Sequence, residues 1–397
     1  MSGVTTRVLQ QRAGAFAVLL ASFAGFVCLG LPDGTLSVAW PSLRDDFARR
    51  QADYGMVLLV HGTSYFLNGL LGARLNRRFK PHALLIAASL ISASGMLLIA
   101  AAPRWWMFLT GIALIACGAG ILNTTINTYA SQHFSPRHVN WLHACYSLGA
   151  AVGPLAMTAV MTRHASWQWG YVLIALAPLT MVAVYVRTAS LWQYSLLARE
   201  RAAAAPSKGF NPLLVRQAIL FFCYSGLEQT LGRWCYTVLT ELKGTPVATA
   251  GLVASCYFGS IFAGRLLLGA ALDRVGATRM VRVGSIVAVV GTSGFAVGDG
   301  PVAALGLVLA GIALAPIFPT LIAQSAARFP KLDLARVIAT CVASAILGSA
   351  AAPYLAGMAT RTFGLGAIAL VALVLAILLL TMHESIARYP TSKVQTQ

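Results

Sequence analysis

The chain has 397 residues, 58% of them hydrophobic and only 10% charged, with a mean hydropathy of +0.75. Such a composition lies outside the soluble range and describes an integral membrane protein with no soluble domain left over. The net charge of +18 would suit nucleic acid if the basic residues lined one face among aromatics, but they follow the loops between apolar runs, which excludes that partner.

Twelve apolar runs are each long enough to cross a hydrocarbon core about 30 Å thick. They fall at about 14–41, 53–74, 82–102, 105–131, 138–162, 168–188, 213–240, 247–272, 279–298, 301–326, 334–360 and 363–383. With the N-terminus inside, 20 of the 29 Lys and Arg fall on the cytoplasmic side, seven lie opposite, and Arg233 and Arg265 fall within spans. The positive-inside rule then predicts that both termini are cytoplasmic. Arg7 and Arg12 ahead of an apolar run also resemble a secretory signal, but the run is too long and too polar, so an uncleaved first helix is expected. The seven cysteines lie in apolar spans without metal-type spacing, so packing roles are expected, with neither metal nor disulfides.

The first span contains Gly30-Leu-Pro-Asp-Gly-Thr35, a carboxylate in a membrane segment. An ionisable group there is costly unless it faces a cavity or a partner. Pro32 lacks a backbone donor and Gly34 weakens a helix, so a broken helix is expected, turning Asp33 toward the protein interior. Desolvation favours the neutral carboxyl, so Asp33 is a candidate proton site. A static Asp33 that caps the break or pairs with an arginine is the structural alternative. In the fourth span, Asn123 and Asn127 share a helix face, and their amides offer donors and acceptors to sugar hydroxyls or to neighbouring helices. In the fifth, His143 and Tyr146 lie three residues apart on one face. The seventh holds the second in-span acid, Glu228, with Gln229, Arg233 and Trp234. Glu228 serves either as a second coupling acid or as a structural ion pair with Arg233, although five residues is a poor stacking interval. Trp234 is a candidate for stacking on a sugar ring. Arg265 in the eighth span either snorkels to the cytoplasmic face or meets a buried acid, and Pro316 and Pro319 predict a bend in the tenth.

An internal repeat organises these spans. Gly72-Ala-Arg-Leu-Asn-Arg-Arg-Phe-Lys80 aligns with Gly269-Ala-Ala-Leu-Asp-Arg-Val-Gly-Ala277 at an offset of 197, and Gly149 and Pro154 align with Gly348 and Pro353 at 199. The expected organisation is a six-helix bundle over 1–188, a cytoplasmic linker over 189–212, and a second bundle with a short tail over 213–397. Asn76, Arg77, Asp273 and Arg274 in the repeated loops are the candidates for holding the inward face closed and releasing it during rocking.

These motifs resemble the major facilitator superfamily, whose loop after the second helix of each half runs Gly-x-x-x-Asp-Arg-x-Gly-Arg; Gly269, Asp273, Arg274 and Gly276 match it, while Asn76 and Phe79 depart in the first copy. Within it, three stretches are similar to the fucose-permease branch of sugar/proton symporters: Gly30 to Thr35, Asn123-Thr-Thr-Ile-Asn127 with Asn140 to Ala150, and Tyr224 to Trp234. The branch pattern has a glutamate near Asn123, where this chain has an amide. The resemblance implies an all-α fold of twelve transmembrane helices in two pseudo-symmetric bundles, and alternating access. It also implies proton coupling through Asp33, with the second coupling acid either Glu228 or absent, and polar solute contacts at His143 and Tyr146; Asn123, Asn127, Gln229, Arg233 and Trp234 join them as candidate substrate contacts from their side-chain chemistry. The expected function is proton-coupled uptake of a sugar or related neutral polar solute by a monomer without cofactors, in the lipid bilayer of a bacterial inner membrane. Proton-antiport export of an amphipathic compound is the alternative, since Gly149-Ala-Ala-Val-Gly-Pro154 resembles part of an exporter signature. No nucleophile set or nucleotide loop points to an enzyme.

Overall fold

A computed structural model describes residues 2–163, 165–192, 211–329 and 334–389. The described residues contain no strand. Their α-helices are α1 (Ser2–Asp46), α2 (Asp53–Arg78), α3 (Pro81–Ala100), α4 (Trp105–His133), α5 (Pro136–Met161), α6 (Trp167–Arg187), α7 (Pro212–Thr237), α8 (Val247–Val275), α9 (Ala277–Val297), α10 (Gly300–Leu314), α11 (Ile317–Arg328), α12 (Leu334–Phe363) and α13 (Gly366–Ala387). A π-helical turn, Val238–Leu242, extends α7. Eleven segments are long and apolar enough to span a membrane, with α10 and α11 forming one interrupted span over Gly300–Ser325. The interruption is the predicted proline bend: α10 stops at Leu314 and Pro316 starts α11. The twelfth span is α7, which is long enough but carries Arg216, Gln217, Glu228, Gln229 and Arg233. Most of the expected linker lies outside the described residues.

The chain forms two compact units, residues 1–35 with 63–200 and residues 36–62 with 201–397. Their boundary differs from a division at the linker, because the last turns of α1 and the first turns of α2 pack with the C-terminal helices. Within the first unit α3 packs on α4 and α6, around a core that includes Phe26, Leu85, Ile126 and Tyr185. Within the second, α7 packs on α12 and α13, and α9 on α10 and α13.

Lipid is as apolar as leucine, so these helices associate through close packing at small residues rather than by escaping water. Gly95 on α3 faces Gly111 on α4, where an added Cβ would lie 2.7 Å from the opposing carbonyl oxygen; Gly291 on α9 and Gly306 on α10 repeat the arrangement at 2.6 Å. The repeat seen in the loops therefore extends to the helix crossings.

One expectation is corrected here. The α1 helix runs unbroken through Pro32 and Gly34. Proline costs one intrahelical hydrogen bond but its φ suits a helix, and the glycine serves contact instead. A Cβ on Gly30 would stand 2.0 Å from the Tyr146 carbonyl oxygen and one on Gly34 2.1 Å from that of Ala150. On α5, a Cβ added to Gly149 or Gly153 would lie 2.0 or 2.4 Å from the carbonyl oxygen of Val27 or Leu31. Two Gly-x-x-x-Gly faces thus interlock.

Candidate functional site

The α1–α5 crossing brings together residues 113 apart in sequence: the Tyr146 hydroxyl donates to Asp33 Oδ2. Tyr65 on α2 lies within electrostatic reach of Asp33 and hydrogen-bonds the Asn123 side chain. Asn127 Nδ2 donates to Asn123 Oδ1 and to its carbonyl, both at 2.9 Å, so the two amides act as one group. Asp33, Tyr65, Asn123, Asn127 and Tyr146 are all half-buried, which leaves polar surface for a solute. His143 sits one turn before Tyr146 with its ring edge-on to Phe26 at 5.4 Å.

In the second unit Glu228 is buried. The Tyr224 hydroxyl, one turn earlier on α7, donates to Glu228 Oε2, and Arg265 on α8 reaches the same oxygen at 3.5 Å. The Tyr257 hydroxyl donates to the Glu228 carbonyl at 2.8 Å, tying α8 to α7 at this residue. Arg233 Nε donates to Gln229 Oε1 at 3.3 Å, and the Glu228 side chain is met by Tyr224 and Arg265. Of the two roles open to Arg265, the geometry gives it the buried acid.

The two acids occupy equivalent places. Gly149 meets α1 at Val27, and its repeat mate Gly348 meets α7 at Phe222; Asp33 follows Val27 by six residues and Glu228 follows Phe222 by six. Each acid also holds a tyrosine hydroxyl. The loop-derived offset of 197 misses this correspondence by two residues, because the two halves differ in length between the helix crossing and the loop. Tyr224 was legible as a same-face neighbour of Glu228 at i−4; the Tyr146 contact depends on a crossing that no spacing reveals.

Trp234 is held in helix packing. It has no exposed surface, its indole N–H donates to the Pro353 carbonyl at 3.0 Å, and its ring packs edge-on against Tyr54 at 4.7 Å. Of the loop candidates, Asn76 is half-buried and Arg77 exposed at the end of α2. The side chains of Asp273 and Arg274 lie outside the described residues.

An all-helical membrane protein with polar residues gathered inside repeated helix pairs has the architecture of a solute carrier. The chain matches the Major Facilitator Superfamily over residues 22–241 and again over 229–396, and it belongs to that family. It is a membrane transporter, not an enzyme. Among curated relatives it is 23% identical to Bypass of stop codon protein 6 of Saccharomyces cerevisiae over 392 residues, covering 87% of this chain and 78% of the relative. It is 19% identical to the glucose/mannose transporter GlcP of Bacillus subtilis over 350 residues, 85% of this chain and 86% of that one. In fold it resembles the nucleoside transporter NupG (D323A mutant), with a TM-score of 0.72 at 14% identity over 94% of this chain and 99% of that one. It also resembles FucP in the outward conformation, with a TM-score of 0.63 at 15% identity over 95% and 100%; FucP is the E. coli fucose:proton symporter.

Proposed function

We propose that this protein is a proton-coupled symporter for a sugar or another neutral polar solute bearing a sugar-like hydroxyl array, working by alternating access between bundles over 1–188 and 213–397. The observation that carries the reading is the equivalent placement of Asp33 and Glu228, each bound by a tyrosine hydroxyl on a membrane helix. A buried carboxyl that can trade a neutral hydroxyl partner for a proton is the element a coupled carrier needs. Asp33 and Glu228 are balanced in formal charge by the in-span Arg233 and Arg265, so a neutral solute adds no uncompensated charge. Asn123 and Asn127, with Tyr65, supply donors and acceptors without charge. That relatives in sequence and fold carry glucose, mannose, fucose and nucleosides supports the same solute class. The Lys/Arg asymmetry supports cytoplasmic termini, and the bacterial relatives support a bacterial inner membrane as the site of action.

Export of an amphipathic compound draws on Gly149 and Gly153, and the α1–α5 crossing already accounts for both glycines. The test is a proteoliposome screen under an imposed pH gradient (outside acidic) with labelled fucose, glucose, mannose, uridine and tetraphenylphosphonium. Gradient-driven accumulation of one of the neutral solutes is expected. Movement of tetraphenylphosphonium alone would replace the symporter with the exporter.

A further inference from the structure

In the second unit, the start of α9 and the end of α13 lie at the face that the Lys/Arg asymmetry predicts to be cytoplasmic, and arginines from three helices gather there. Arg282 of α9 donates from Nε to Oε1 and from Nη2 to Oε2 of Glu384 on α13, the second contact at 3.0 Å. Arg388, one turn further along α13, reaches the same carboxylate at 3.9 Å. Arg216 of α7 lies over the Tyr389 ring, 5.2 Å from its centroid, and donates to the Ser385 carbonyl at 3.5 Å. Arg279, one turn before Arg282 on α9, is exposed. Among the described residues Glu384 is the one acid that touches any of these four arginines, so the cluster keeps a surplus of positive charge. The helix dipole adds to it: Arg279 and Arg282 sit in the first two turns of α9, where no acid occupies the first turn and the free amides already favour an anion.

The surplus is open to an external partner. The Arg282 and Arg388 side chains keep 44% and 82% of their surface exposed. Toward the bilayer, each helix continues its arginine as an apolar row. On α9, Arg279, Val283, Ile286 and Val290 follow at intervals of four, three and four, so they share one face, and all four are exposed. That row is about 16 Å long, close to one leaflet of a hydrocarbon core about 30 Å thick. On α13, Val374, Leu378, Thr381 and Arg388 also share an exposed face, and Thr381 returns its hydroxyl to the Leu378 carbonyl at 3.1 Å, so it adds no open donor to the row. The two helices pack together, and the Arg282–Glu384 contact ties their charged ends side by side. A soluble anion would need only the arginines. Arginines that end two apolar rows match a molecule with acyl chains and a phosphate, which guanidinium groups bind in fork geometry.

We propose that the α9–α13 seam is a seat for an anionic phospholipid, with the headgroup phosphate on Arg279, Arg282 and Arg388 and the acyl chains along Val283, Ile286 and Leu378. The seat does not depend on which solute the protein carries. Its test is intact-protein mass spectrometry of the full-length chain in detergent, titrated with dioleoyl phosphatidylglycerol, with dioleoyl phosphatidylcholine, and with phosphatidylglycerol against inorganic phosphate. Wild type should bind a first phosphatidylglycerol at least roughly tenfold more tightly than phosphatidylcholine. Arg279→Gln should weaken phosphatidylglycerol binding roughly fivefold, and the triple variant Arg279→Gln, Arg282→Gln, Arg388→Gln roughly a hundredfold, with phosphatidylcholine binding unchanged in both. Arg279 touches no other charged side chain among the described residues, so its single variant serves if the triple variant does not fold. Arg187→Gln, an exposed arginine at the end of α6, is the control and should bind as wild type. Equal phosphatidylglycerol affinity in wild type and Arg279→Gln, or an equal loss in Arg187→Gln, would overturn the seat. Inorganic phosphate that displaces the lipid at equal concentration would assign the arginines to a soluble anion and overturn the lipid as occupant.

Discussion

The interlocked glycines of α1 and α5 make a quantitative prediction. A methyl group on Gly30 would stand 2.0 Å from the Tyr146 carbonyl oxygen and 2.7 Å from the Ala150 nitrogen, both backbone atoms that cannot rotate away. Ordinary contact begins at 3.4 Å, so Gly30→Ala must part the helices by about 1.4 Å, an overpacking defect costing about 1–3 kcal/mol. Gly149→Ala meets the Val27 carbonyl at the same 2.0 Å and should behave alike. The same displacement pulls the Tyr146 hydroxyl away from Asp33, and a hydrogen bond stretched by more than about 1 Å is lost. Gly259→Ala is the control, since nothing lies within 4 Å of its Cβ; helix propensity alone makes that change neutral or stabilising by up to about 1 kcal/mol. Thermal unfolding of the purified proteins in one detergent compares the three. Gly30→Ala and Gly149→Ala should melt below wild type and Gly259→Ala at or above it. Equal stability across all three would refute the close crossing and the site geometry built on it.

Tyr146→Phe and Tyr224→Phe remove the hydroxyls bound to Asp33 and Glu228; each should lower gradient-driven uptake by roughly tenfold or more while exchange without a gradient persists, and unchanged dependence on the gradient would count against the pairing. Trp234→Ala should destabilise the protein by about 3–5 kcal/mol, and Trp234→Phe by much less; weakened solute affinity at unchanged melting temperature would instead make Trp234 a stacking residue. Arg265→Gln strands a buried carboxylate and should cost about 3–5 kcal/mol, with Glu228→Gln recovering most of the loss in the double variant; additive losses in that cycle would mean the two side chains do not interact.

Much of this architecture is legible in the sequence because a bilayer demands long apolar helices and positive loops. The physics is less direct where polarity and packing meet. The α7 helix falls short of the hydropathy of its eleven counterparts because it carries Gln217, Glu228, Gln229 and Arg233, yet its apolar run over 213–240 is still long enough to read as a span. Pro32 and Gly34 read as a break because isolated helix propensity penalises both, yet α5 turns the glycine into a contact surface. Asp33 and Glu228 stand out as lone acids in apolar spans, and Tyr224 follows from helical spacing. Tyr146 and Arg265 belong to other helices, at separations of 113 and 37 residues from the acids they meet, so only the helix crossings assign them. Arg44 and Glu241, 197 residues apart, look like ordinary loop charges until the fold joins them.

Asp33→Asn keeps the shape of the side chain and its capacity to accept the Tyr146 hydrogen bond, but it cannot release a proton. The most direct test of coupling compares wild type and Asp33→Asn in proteoliposomes, using the neutral solute found by the gradient screen. Two rates are measured: uptake driven by an imposed pH gradient, and counterflow at equal pH. Loss of gradient-driven accumulation with counterflow retained is the predicted result. Full accumulation by Asp33→Asn would contradict the assignment of Asp33 as the coupling acid.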